Sequence, residues 1–331
     1  MSYKFCVAPM IDYTDKHCRY FLRKITKRSR LYSEMMVADA IINGNRDFFL
    51  SHDLSEHPLA LQIAGSDPKK LAEAAYIGES QGFDEINFNL GCPSRRVQEG
   101  NFGACLMNNI RLVQDCVASM KNRINIPVTV KCRIGVDENN PYEVLPKFIE
   151  NLTESGITTF IIHARKAILN GLDPRQNREI PPLDYDLVRL IKRKWPNLNI
   201  ILNGGIKSPD QGFKEMNLIR GSELDGVMLG RAVYIDPYIL SDVDRIFFEE
   251  NYTQISRFDL ALSMIPYLEE NVKNGVPLNI MTRHMLGLFH GQRGAKSWKI
   301  YLSQESIKRK DDPRVLEDAV KIMKNIHREA A

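Results

Sequence analysis

The stretch Asn87-Phe88-Asn89-Leu90-Gly91-Cys92-Pro93-Ser94 sets a cysteine just past an apolar run, 84–90, that reads as a buried strand. Gly91 and Pro93 on either side impose a tight turn, which holds the thiol at a strand end and out of the core. A thiol placed there can act as nucleophile, metal ligand or proton donor. The other cysteines, Cys6, Cys18, Cys105, Cys116 and Cys132, are scattered, with no CxxC and no His-rich partner segment. That spacing argues against zinc, iron–sulfur and disulfide frameworks, and no metal is expected.

Further polar groups interrupt apolar runs. Lys131 lies within Val128-Thr129-Val130-Lys131-Cys132-Arg133, where a charge is costly unless it is used. It suits the anionic N1/O2 edge of a flavin, or a Schiff base. Gln62 sits in Leu59-Ala60-Leu61-Gln62-Ile63-Ala64, and His163 ends the run 159–163. An unprotonated His163 ring can hydrogen-bond a phosphate or a substrate. Asn203-Gly204-Gly205-Ile206 and Leu229-Gly230-Arg231 place glycines where backbone N–H groups can approach a phosphate, and Arg231 adds charge. Ala8-Pro9-Met10 ends the first apolar run, and methionine packs well on flat rings.

These groups need a scaffold that brings them to one place. Apolar, β-rich runs recur at 5–9, 31–33, 59–64, 85–90, 128–133, 159–163, 200–203 and 226–229. Amphipathic segments at 68–81, 110–121, 142–154, 184–194 and 209–218 lie between them, several opened by caps such as Asp67, Asn109 and Ser208. Strands that are apolar throughout, alternating with helices, are parallel and buried on both faces. Beyond Tyr238 the strands stop, and apolar residues recur at helical spacing over 257–271, 279–290 and 313–327. The predicted fold is a (β/α)8 TIM barrel over residues 1–240, followed by a smaller all-helical C-terminal domain over 241–331. A doubly wound sheet is the runner-up, but no GxGxxG follows the first strand. In a barrel the strand C-termini face one mouth. A phosphate site after strands 7 and 8, Lys131 on strand 5, Gln62 on strand 3 and Cys92 after strand 4 then describe an FMN barrel.

Composition is ordinary for a soluble protein: 331 residues, 44% hydrophobic and 26% charged. The longest apolar runs are strand-length, so no membrane span is expected. The first residues carry no signal-peptide pattern, which points to a cytoplasmic protein. A monomer is the default. The net charge of +4 decides little, but its distribution is uneven. Residues 16–33 hold seven Lys/Arg and no Asp or Glu, and residues 283–310 hold seven more against Glu305 alone. Two such blocks suit a polyanion, or else are solvated helix faces.

Taken together, the chain resembles the tRNA-dihydrouridine synthases along nearly its whole length. The resemblance is carried by Ala8-Pro9-Met10-Ile11-Asp12, Gln62-Ile63-Ala64-Gly65, Gly91-Cys92-Pro93-Ser94, Lys131-Cys132-Arg133, His163-Ala164-Arg165, Asn203-Gly204-Gly205-Ile206 and Gly230-Arg231. His163-Ala164-Arg165-Lys166-Ala167 with Arg178-Glu179-Ile180-Pro181-Pro182-Leu183-Asp184-Tyr185 resembles the A-type subfamily, which modifies U20 and U20a in the tRNA D-loop. Position 11 is Ile where many members have a second Met.

The resemblance implies a bound FMN contacted by Pro9, Met10, Ile11, Gln62, Lys131, His163, Asn203, Gly204, Gly205, Gly230 and Arg231, with NADPH as reductant. It implies hydride transfer from reduced flavin to uracil C6, and a proton from Cys92 to C5. Asn89 would hold the flipped uracil edge. Arg175, Arg178, Arg293 and Lys296 would contact the tRNA, positioning it rather than reading its sequence. Two other readings compete: an FMN-dependent TIM-barrel reductase acting on a free small molecule such as a pyrimidine, and an RNA-binding barrel without chemistry. The helical extension and the basic blocks favour a polyanion over the first. The presence of Cys92 and Lys131 speaks against the second.

Overall fold

The computed structural model describes residues 2–221, 223–250 and 254–328. Eight parallel strands form its central sheet: β1 (Phe5–Val7), β2 (Leu31–Val37), β3 (Leu59–Ala64), β4 (Glu85–Leu90), β5 (Val128–Arg133), β6 (Thr159–His163), β7 (Asn199–Asn203) and β8 (Gly226–Leu229). They pair in the order β1-β8-β7-β6-β5-β4-β3-β2. The two ends meet through a parallel bridge between Cys6 and Arg30. There Val7 N donates to Arg30 O at 2.9 Å, and Arg30 N donates to Phe5 O at 3.0 Å. This is the expected (β/α)8 barrel, with each strand where the apolar runs placed it. Strand β2 runs on to Val37, past the expected end at residue 33.

Helices fill the crossovers, and their starts follow capping chemistry. Asp67 accepts from Lys69 N and Lys70 N at the head of Pro68–Ser80. Asn109 caps Ile110–Arg123, Asn140 caps Pro141–Glu154, Asp184 caps Tyr185–Lys194 and Ser208 caps Pro209–Met216. Each helix buries an apolar stripe, such as Leu71, Ala74 and Ala75 of the first, against the outward face of the strands.

The inner face of the barrel differs from the outer. Residues two apart along a strand share a face, so Glu85, Asn87 and Asn89 line up on β4, and Thr129, Lys131 and Arg133 on β5. Ile86, Phe88 and Leu90 take the other face and are fully buried. Strands that read as continuously apolar therefore carry a polar inner row. Apolar packing inside the barrel comes from Cys6, Ala8, Tyr32, Ala60, Ile161, Ile201 and Met228. At the strand N-termini, Arg30 Nη1 and Glu85 Oε2 form a buried ion pair at 3.3 Å. Tyr32 donates its hydroxyl to Glu85 Oε1 at 3.1 Å.

The chain divides into two compact units. The first takes the residues up to Ile11 and Ser29–Leu229. The second takes Asp12–Arg28 and the chain from Gly230 on, in place of the single cut expected at 240. Buried Asp244 explains why residues 12–28 join it. Its carboxylate accepts from Thr26 Oγ1 (2.6 Å), Lys27 N (2.6 Å) and Arg28 N (3.2 Å). Asp15 likewise accepts from Arg283 Nη2 at 2.7 Å. The first basic block is thus partly structural: Arg19 and Arg23 are buried and donate to Thr14 O and Thr26 O.

Within the second unit the helix expected over 257–271 is two, Arg257–Leu262 and Ile265–Lys273. Pro266 lies in the first turn of the latter, where its missing N–H costs nothing. A further helix, Ala295–Lys308, has no counterpart in the sequence periodicity. Its apolar residues Trp298, Ile300, Leu302 and Ile307 are spread around the axis instead of forming a stripe. Among the described residues no helix is long and apolar enough to cross a membrane.

Candidate active site at the strand C-termini

The polar inner rows of β3, β4, β5, β6 and β7 converge at the strand C-termini. Gln62 pairs in register with Asn87, Asn89 with Lys131, Arg133 with His163, and His163 with Asn203. A hydrogen-bonded chain starts at Glu85, which accepts from Thr129 Oγ1. Asn87 Nδ2 donates to Thr129 Oγ1 at 2.8 Å, and Gln62 Nε2 to Asn87 Oδ1 at 2.7 Å. Asn89 Nδ2 donates to Gln62 Oε1 at 2.8 Å. Asn89 Oδ1 in turn accepts the N–H groups of Gly91 and Cys92, both at 3.1 Å. The Cys92 turn is therefore shaped by Asn89, whose amide is engaged on both sides. One hydrogen each is left on the Asn89 and Gln62 side-chain nitrogens.

Cys92 is half-buried, with Sγ 3.6 Å from Ser94 Oγ and its carbonyl accepting from Ala104 N at 3.0 Å. Gly103 makes that approach possible. It has φ +75°, and a Cβ there would lie 2.7 Å from the Cys92 carbonyl oxygen. Lys131 Nζ donates to Asn203 Oδ1 at 3.1 Å, and Asn203 Nδ2 donates to Met228 O at 2.8 Å. Burial, reinforced by Arg133, brings the Lys131 ammonium down to about 8. His163 is held well below the ordinary imidazole range by burial and then by the charges of Arg133, Lys131, Arg165 and Arg178. Its ring is neutral at pH 7.

The turn after β7 is the sharpest feature. Gly204 (φ +108°) and Gly205 (φ +73°) are in left-handed backbone. A Cβ on Gly204 would meet His163 Cδ2 at 2.6 Å, and one on Gly205 would meet Leu183 Cδ1 at 2.4 Å. Among the described residues, the N–H groups of Gly204, Gly205 and Ile206 donate no hydrogen bond, nor does the His163 ring. Gly204 and Ile206 are buried and Gly205 is exposed. Buried amides are normally paired, and three consecutive N–H groups left over at one turn make a concavity that suits an anion. Tyr185 fixes the turn by donating its hydroxyl to Gly204 O. That tyrosine was visible only as part of a motif, and nothing in the sequence disclosed its partner.

The mouth thus offers many donors and few acceptors: the Lys131 ammonium, the His163 ring, the spare Asn89 and Gln62 hydrogens and three backbone amides. Such a set fits a planar, acceptor-rich ligand that carries a phosphate. Flavin mononucleotide has that chemistry in its N1, O2 and O4 edge and its phosphate tail. Pro9 and Met10 follow β1 and are half-buried, and Ile11 is 48% exposed. Gly230 and Arg231 follow Leu229 directly, where Gly230 opens the short helix Arg231–Ile235, and they group with the second unit. Among the described residues no group of three or more His, Cys, Asp or Glu is arranged to hold a metal ion.

The four expected tRNA contacts are exposed and fall in two places. Arg175 and Arg178 lie on the loop after β6, in the first unit, and Arg293 and Lys296 lie in the second. The second basic block is otherwise partly neutralised: Arg309 pairs with Asp312 and Asp318, and Lys308 with Glu305.

The family model described as dihydrouridine synthase matches residues 6–327. The chain is 48% identical over 323 residues to the tRNA-dihydrouridine(20/20a) synthase of Salmonella typhimurium, covering 97% of this chain and 96% of that one. It is 49% identical over 323 residues to the protein of the same name from Escherichia coli K12, covering 97% and 92%. With the tRNA-dihydrouridine(20/20a) synthase of Vibrio parahaemolyticus it shares 47% identity over 328 residues, 98% of this chain and 99% of that one.

Proposed function

The chain belongs to the dihydrouridine synthase family, and from that membership we propose that it reduces the C5=C6 bond of uridine to 5,6-dihydrouridine in tRNA, at U20 and U20a of the D-loop, using bound FMN and NADPH. The observation that carries the cofactor part is the nest of unpaired amides at Gly204, Gly205 and Ile206 beside a donor-rich mouth. Bound FMN would supply the hydride for uracil C6. Its phosphate would lie on the nest, and Lys131 and His163 would face acceptor atoms of the ring system. The part assigned to Gly230 and Arg231 rests on their chain position after β8.

The protein's own share is to bind, orient and protonate. Reduction at C6 leaves negative charge on C5 and the C4 carbonyl, and C5 must be protonated. The Cys92 thiol, set at the mouth by the Asn89 turn, provides that proton. The spare Asn89 Nδ2 hydrogen is available to a flipped uracil edge. Arg175, Arg178, Arg293 and Lys296 would contact phosphates and so set which D-loop uridine reaches the cofactor.

The test is site-resolved dihydrouridine analysis of tRNA lacking the modification, after incubation with purified protein and NADPH. Dihydrouridine at 20 or 20a is the expected result. None, from a yellow protein that still oxidises NADPH, would overturn the reading in favour of a reductase acting on a free small molecule.

A further inference from the structure

Two loops at the mouth carry different jobs in the proposed reaction. The loop after β4 holds Cys92, and the loop after β6 holds Arg175 and Arg178. Both belong to the first unit. The β6 loop is densely hydrogen-bonded within itself. Buried Asn177 ties it into a knot, with Oδ1 accepting from Ile168 N at 2.7 Å and Nδ2 donating to Ile168 O at 2.8 Å and Leu172 O at 3.2 Å. Asp173 and Gln176 close it further through reciprocal bonds of 2.9 and 2.8 Å. The two arginines flank that knot, and Arg178 N donates to Arg175 O at 2.9 Å.

The cysteine loop is joined to this knot by two side chains. Arg133, 3% exposed, donates Nε to Gly91 O at 3.1 Å, and Nη1 to Lys166 O at 3.2 Å and Asn177 O at 3.0 Å. Gln98 donates Nε2 to Pro93 O and to Leu169 O, each at 2.9 Å. Pro93 is the residue after Cys92. The Gln98 amide therefore spans from the residue next to the thiol to the loop that bears the arginines. Gln98 lies in the short helix Arg95–Glu99, half-buried and away from the inward polar rows that form the mouth.

We propose that Gln98 is a positioning residue, coupling contact of tRNA with Arg175 and Arg178 to the placement of the Cys92 thiol over the target base. This rests on the function proposed above and adds to it. The two loops are bonded to each other, so a phosphate held at the arginines fixes the distance from the thiol to the uridine. A correctly docked tRNA then meets a correctly aimed proton donor. With the amide gone, tRNA still docks and the cofactor is still reduced. Arg133 still ties Gly91 O to Asn177 O, but the link on the Pro93 side of the thiol is lost and its register with the docked strand loosens.

The test uses the flavin-loaded enzyme and unmodified tRNA. Two variants are compared, Gln98→Ala, which removes the amide, and Gln98→Glu, which keeps its size but cannot donate to two carbonyls. Flavin content and the rate of flavin reduction by NADPH report on folding and on the cofactor site, and neither is expected to change. The expected signature is a kcat roughly 10- to 100-fold lower, with the KM for tRNA within about threefold of wild type. A double-mutant cycle with Arg178→Ala completes it. In the wild-type background Arg178→Ala alters both KM and kcat, whereas in Gln98→Ala its effect on kcat is smaller while its effect on KM is kept.

If both Gln98 variants keep wild-type kcat, or if the cycle is additive in kcat, the coupling is overturned while the function stands. The coupling is equally overturned if kcat falls only in step with flavin content, which marks a merely structural residue. If the wild-type enzyme itself forms no dihydrouridine in tRNA, the function falls and takes the coupling with it.

Discussion

Lys131 Nζ lies 3.1 Å from Asn203 Oδ1, which ties the lysine of β5 to the residue that starts the Gly204-Gly205 turn. Burial with one neutral partner leaves the ammonium poorly compensated, hence its fall to about 8. In the cofactor-free protein the folded state sheds this proton near pH 8, while the unfolded chain keeps it to about 10.5. The unfolded state then binds more protons across that window, so stability rises with pH there. Thermal melts of apoprotein and Lys131→Met at pH 7, 9 and 10.5 test this: wild type should gain on the variant above pH 8. A gap that does not depend on pH would mean that the lysine keeps its ordinary proton affinity in the fold. Lys131→Met should also lose flavin on gel filtration.

Cys92→Ala should leave the protein yellow and the reduction of flavin by NADPH intact, because the thiol is assigned to neither. Dihydrouridine formation should fall by roughly 10²- to 10⁴-fold, the usual share of a positioned general acid. A colourless variant, or one with full turnover, would show that Cys92 does something else.

Gly204→Ala separates backbone strain from site filling. Placing Ala in left-handed backbone costs about 1–2 kcal/mol wherever it occurs. Gly275 has φ +83°, and a Cβ added there would have nothing within 4 Å, so Gly275→Ala should show that cost alone. Gly204→Ala adds a methyl 2.6 Å from His163 Cδ2, so it should in addition lose most of its flavin. Flavin retention equal in the two variants would argue against a cofactor phosphate at this turn.

Docking through phosphate contacts makes the reaction salt-dependent. The logarithm of kcat/KM for tRNA should fall with the logarithm of salt concentration, and each of Arg175→Ala, Arg178→Ala, Arg293→Ala and Lys296→Ala should lower the slope by about 1 or less. Flavin reduction by NADPH, measured without tRNA, should keep the same salt response in all four. A variant with an unchanged slope marks a residue that does not meet the backbone.

The buried Arg30–Glu85 pair gives a stability prediction away from the mouth. Arg30→Met strands a carboxylate that is fully buried, which costs roughly 3–5 kcal/mol. Burial already pushes the Glu85 carboxyl above its ordinary range. In the variant the folded state binds that proton more readily than the unfolded chain does, so the deficit should shrink as pH falls from 7 to 5. Urea melts at the two pH values measure it, and a deficit that grows in acid would show that Glu85 is not the group left uncompensated.

Much of the scaffold was legible in the chain because strand and crossover helix are encoded locally. Apolar runs of strand length, Asp67-Pro68 and Ser208-Pro209 caps, and the loss of strands after β8 are each written within a few residues. The same holds for the chemistry-bearing types: a cysteine between Gly91 and Pro93, a lysine in β5, paired glycines after β7. What locality hides is partnership. The capture of residues 12–28 by Asp244 spans more than two hundred positions, and the buried roles of Arg19, Arg23 and Arg30 look in sequence like one basic surface block. Helix Ala295–Lys308 has no apolar stripe, so only its packing reveals it.

The sequence by itself determined which residue types stand at the barrel mouth, because strand order and strand ends follow from local periodicity. Only the tertiary structure decided what each of them is bonded to. Gln62, Asn87 and Asn89 form one chain to the Cys92 turn, Tyr185 holds Gly204, and Gln98 and Arg133 fasten two loops together. Side-chain hydrogen bonds are fixed by distance and angle in three dimensions, and residues far apart in the chain acquire those only when the barrel closes.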